Sequence, residues 1–83
     1  MTANPIEIIR RAAAIARDAG LIDEANDLES VTWEAYTTSS EMAGAFGGAI
    51  RAFVSRTSGR MPPATAALLD EAIADIHVIW PDL

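Results

Sequence analysis

Residues 28–54 read LESVTWEAYTTSSEMAGAFGGAIRAFV, and where this stretch is divided decides the fold. At 100° per residue, Leu28, Val31, Ala35, Met42, Phe46, Ala49, Ile50 and Phe53 fall within about 100° of arc. One phase held over this distance predicts a single helix from Asp23 to Thr57, about 50 Å long at 1.5 Å per residue. The opposing signal is local. Thr37, Thr38, Ser39 and Ser40 are four consecutive weak helix formers that cost about 2 kcal/mol relative to alanine, and Thr38 with Glu41 has capping-box spacing. No glycine or proline falls in that gap, and Ser39 sits on the apolar arc. The expected fold is therefore all-α, with three antiparallel helices and a long central one over 23–57. The alternative is a four-helix bundle broken at 37–40.

The flanks are better punctuated. Asn4 followed by Pro5 is a helix start, because asparagine accepts from orphan amides and proline at the first helical position loses no needed donor. From Pro5 to Ala19, Ile8, Ile9, Ala12, Ile15, Ala16 and Ala19 share one side, and Gly20 with Leu21 fits a Schellman stop. Thr57, Ser58, Gly59 and Arg60 close the middle segment, and Pro62 and Pro63 open a last helix running to about Ile79 before Pro81. On it, Leu68, Leu69, Ala72, Ile73, Ile76, Ile79 and Trp80 form the apolar face, with Asp70, Ala74, His77 and Val78 opposite. The first helix is expected along the first half of the central one, and the last along its second half. No strand alternation, hairpin signal or repeat appears, so the 83 residues read as one helical domain, 1–83.

Composition narrows the function classes. The apolar fraction is 51%, which excludes a disordered acidic tail. The chain has no cysteine, hence no disulfide framework and no thiolate metal site. No run approaches the roughly 20 apolar residues of a membrane span, and Glu7, Arg10 and Arg11 interrupt any signal-peptide core, so a cytoplasmic protein without membrane partners is expected. Twelve acidic against six basic residues give a net charge of −6, which disfavours direct nucleic-acid binding. The distribution is uneven: Asp18, Asp23, Glu24, Asp27, Glu29, Glu34 and Glu41 lie between Arg17 and Arg51 with no positive side chain among them. Such a run is either a solvated helix face or a docking surface for a basic protein. Arg51, Arg56 and Arg60 have a spacing that can meet a phosphate strand, though three arginines amid this acidity imply weak affinity.

Two constellations point to interaction. Gly44, Gly47 and Gly48 inside a helical pattern each cost about 1 kcal/mol against alanine, a cost usually offset by close packing. Ser40, Gly44, Gly48 and Ala52 at i, i+4 spacing would form a groove for another helix, either the last helix of the same chain or a second subunit. Trp33 lies off the apolar arc, with Glu34 beside it and Tyr36 on the near edge. Tryptophan and tyrosine are enriched at binding hot spots. The candidate interaction residues are Trp33, Glu34, Tyr36, Ser40, Gly44, Gly47 and Gly48, and the expected partner is a second copy of the chain.

Catalysis has little to rest on. His77 is the single histidine, with Asp70 two turns away, and no nucleophile or cofactor motif accompanies it. Asp23, Glu24 and Asp27 lack the alternating ligands and central glycine of a calcium loop. No catalytic, cofactor or metal residue is assigned. The expectation is a small acidic interaction module that forms a homodimer. The alternative is an inhibitor, antitoxin or immunity-type binder blocking a basic site on another protein, and an enzyme is the remaining option.

Overall fold

Asn4 accepts the Ile6 amide on its side-chain oxygen at 2.9 Å, and Pro5 occupies the first helical position. In the computed structural model, which describes residues 4–79, this start launches α1, Pro5–Asp18. Ala19 caps it, and Gly20 takes φ 95, the left-handed conformation that glycine adopts without a Cβ clash. Leu21 N–H then donates to the Ala16 carbonyl and Gly20 N–H to that of Arg17, both at 3.0 Å, the paired bonds of a Schellman stop. Buried Leu21 follows, and the chain reverses into α2, Ile22–Ser30.

The long central helix does not form. After α2 the backbone tightens into a 3₁₀ turn, Val31–Trp33, and goes extended at Glu34; a new helix, α3, begins at Ser39 and runs to Arg56. Hydroxyl groups end α2: Ser30 donates to the Asp27 carbonyl and Thr32 to that of Glu29, each at 2.7 Å, competing for acceptors that a continuing helix needs. Tyr36 then reaches back with its hydroxyl to the Val31 carbonyl at 2.8 Å. Thr38 is the extended residue that caps α3, accepting from the Glu41 amide at 3.1 Å. The Glu41 carboxylate accepts the Thr37 hydroxyl at 2.6 Å, so the expected capping spacing is used with Thr37 in place of the reciprocal backbone bond. The break thus covers 34–38 rather than 37–40, and Ser39 and Ser40 belong to α3. A 50 Å rod would not fit a molecule whose longest dimension is 33 Å.

Thr57 ends α3 by donating its buried hydroxyl to the Phe53 carbonyl at 2.8 Å. Gly59, at φ 81, turns the chain into α4, Pro63–Ile79. The expected stop at Pro81 and the side chains of Ser39, Val78, Ile79 and Trp80 lie outside what the structure describes.

The centre of the fold is α1, not the middle segment. Ile8, Ile9, Ala12, Ala13 and Ala16 are all buried, and they cover about 140° of its circumference at 100° per residue, enough for two neighbours. Both α2 and α4 pack on α1, and its alanines bring their backbones close; Thr65 of α4 directs its buried hydroxyl to the Ala12 carbonyl at 3.4 Å. Phe46, Ile50 and Phe53 of α3 complete the core with Leu28, Leu69, Ala72 and Ile76. Ala35, placed on the apolar arc by the sequence, is exposed in the break. The expected packing of the last helix along the second half of the middle segment is replaced by packing of α4 on α1, and α3 touches α4 only sparingly.

Candidate functional site

Trp33 stands on the 3₁₀ turn with 66% of its surface exposed, the most exposed large hydrophobic residue among those described. It is nonetheless held firmly. The Arg10 guanidinium lies 3.6 Å from the ring centroid, a cation–π stack, and the indole N–H donates to the Glu29 carboxylate at 3.1 Å. Arg10 is itself fixed by bonds to the Thr32 hydroxyl at 3.0 Å and carbonyl at 3.1 Å. Arg17 donates to the other Glu29 oxygen at 3.2 Å and to Asn26 at 2.8 Å. One ring face is therefore covered by α1 and the other faces outward. The Trp33 indole, then Arg17, hold the Glu29 carboxyl below the ordinary glutamate range, against the opposite pull of partial burial.

Glu34 is exposed next to it. Tyr36 turns inward instead, meeting Phe46 edge-to-face with ring centroids 6.1 Å apart at 88°. Burial, and then the Glu34 charge, push its phenol above the ordinary range. Tyr36 thus anchors the break to the core more than it faces a partner.

The glycines of α3 remain open. A Cβ built on Gly44, Gly47 or Gly48 would meet nothing within 4 Å. The described side chains of the last helix do not fill the groove. A cleft of ≈ 310 Å³ lies between α3 and α4, with Gly44 and Gly47 on one wall, Ile73 and Ile76 on the other, and Arg51 and His77 contributing charge and polarity. The expected stripe is divided: Ser40 and Gly48 do not line this cleft, and Ala52 borders a smaller hollow of ≈ 80 Å³ facing α2.

The acidic run is partly neutralised from within. Arg17 pairs with Glu29, Arg56 with Asp27 and Arg60 with Glu24. A backbone hydrogen bond lowers the Glu24 pKa most, and Arg60 adds to the effect. Arg56 and Arg60, aligned in the sequence with Arg51 as a phosphate-contacting set, are thus engaged by carboxylates. Arg51 forms no ion pair among the described residues. His77 is exposed, and no three histidine, aspartate or glutamate side chains gather as a metal would need among the described residues. No described helix is long and apolar enough to cross a membrane.

Sequence reasoning singled out Trp33, Glu34, Gly44 and Gly47, but not the supports that make a site of them. Arg10 lies 22 residues from the Thr32 it holds, and no local spacing signals such a contact. Ile73, Ile76 and His77 join Gly44 and Gly47 only through the tertiary placement of α4. Set against known protein families, curated proteins and solved structures, the chain matches none.

Proposed function

We propose that this protein is a small helical protein–protein interaction module that works as a homodimer. The observation that carries the reading is Trp33, two-thirds exposed yet fixed by Arg10 and Glu29. An exposed indole is an unfavourable use of a large apolar ring unless a partner covers it, and a pre-fixed ring loses little side-chain entropy on binding. The open glycines of α3 add to the argument, since among the described residues no atom comes within 4 Å of a Cβ placed on them. The three internal Arg–carboxylate pairs favour a second copy over a strongly basic partner, because they spend part of the acidic field on the chain's own arginines.

Sedimentation equilibrium over a wide concentration range tests this. The expected result is a shift from 8.8 kDa toward twice that mass as concentration rises. A constant mass of 8.8 kDa would overturn the homodimer.

A further inference from the structure

The exposed ring and the open cleft lie on the same chain, and their chemistry is complementary. Trp33 offers one free aromatic face, with the exposed Glu34 carboxylate beside it. The α3–α4 cleft offers a floor without side chains at Gly44 and Gly47, an aliphatic wall at Ile73 and Ile76, and the guanidinium of Arg51, which forms no ion pair among the described residues. At ≈ 310 Å³ it is at the small end of the clefts that enclose compact organic groups, the range in which a single indole fits. We infer that Trp33 of one copy seats in the α3–α4 cleft of a second copy, with Glu34 pairing to Arg51 across the interface. This rests on the homodimer reading and specifies its contact.

Each element of the arrangement has a physical reason. A flat ring approaches a helix backbone closely only where no Cβ intervenes, and Gly44 and Gly47 provide that. Arg10 already covers the inner face of Trp33, so the cleft must receive the outer face and the far edge, leaving the indole N–H on Glu29 undisturbed. Asp70 lies near His77 by helical periodicity, yet it makes no ion pair with Arg51 among the described residues, and Glu34 supplies a carboxylate of the opposite charge. Every copy carries one ring and one cleft, and in a two-fold dimer the two copies exchange two identical contacts, one at each ring.

A charge-exchange series, read by sedimentation equilibrium with helical content followed by circular dichroism, tests the pairing. Glu34→Arg alone and Arg51→Glu alone each weaken the dimer by about tenfold or more, by placing like charges together. The double variant, Glu34→Arg with Arg51→Glu, recovers most of the wild-type association. Trp33→Ala abolishes it with helical content unchanged. If wild type dimerises but both single charge variants associate as it does, or the double variant is no tighter than the singles, the Trp33–cleft contact is wrong while the homodimer stands. A wild type that stays monomeric at all concentrations removes both.

Discussion

Glu29 shows how one side chain sets the site. Its two oxygens are divided between the Trp33 indole and Arg17, and its carboxyl titrates below the ordinary 4.5 because both donors favour the charged form. A carboxyl lowered by folding contributes stability that is present above 4.5 and lost as pH falls through its lower folded value. The indole Nε1–H resonance of Trp33 is therefore expected to move at a pH below 4.5, and Glu29→Gln should flatten that titration. A resonance in wild type that is unaffected by acid would mean the bond does not hold the ring. Arg10 acts from the other side of the indole. Arg10→Ala removes the stack and both bonds to Thr32, and should lower unfolding free energy by about 1–2 kcal/mol in chemical denaturation.

Among the elements, α3 carries two opposite expectations. Thr38→Ala removes the hydroxyl that caps the Glu41 amide and should destabilise the protein by about 1 kcal/mol. Gly44→Ala should instead stabilise the isolated chain by about 0.5–1 kcal/mol, since the added methyl meets no atom within 4 Å and the helix gains propensity. Denaturant midpoints of the two variants at low protein concentration check both signs. The helix ends with their own chemistry, Asn4–Pro5, Gly20 and Pro63, were legible because each boundary is written in a few adjacent residues. The break at 34–38 was displaced because phase is not continuity. Leu28 and Phe46 are 18 residues apart, about five whole turns, so they keep one phase while facing the same core from two different helices. No glycine or proline marks the gap; the hydroxyls of Ser30 and Thr32 and the returning Tyr36 make it, and they depend on where the chain has already folded. The pairing of α1 with α4 was equally beyond local reading, since it rests on contacts such as Thr65 with Ala12, 53 residues apart.

At the level of the whole molecule, α1 is packed on one side by α2 and α4, while α3 and α4 part to leave a cleft. A core centred on five buried residues of one alanine-rich helix is thin, and a second copy would enlarge the buried apolar surface where the chain leaves it open. On the dimer proposed above, the glycines of α3 serve a second copy rather than the packing of their own chain. The concentration dependence of thermal unfolding, measured on wild type beside Gly47→Leu, tests it most directly, because association makes a melting temperature depend on protein concentration. The wild-type melting temperature is expected to rise with concentration, and Gly47→Leu, which fills the cleft and strengthens the helix, is expected to melt higher than wild type when dilute and to show no concentration dependence. A wild type whose melting temperature is independent of concentration, or a Gly47→Leu variant that melts below wild type when dilute, would contradict it.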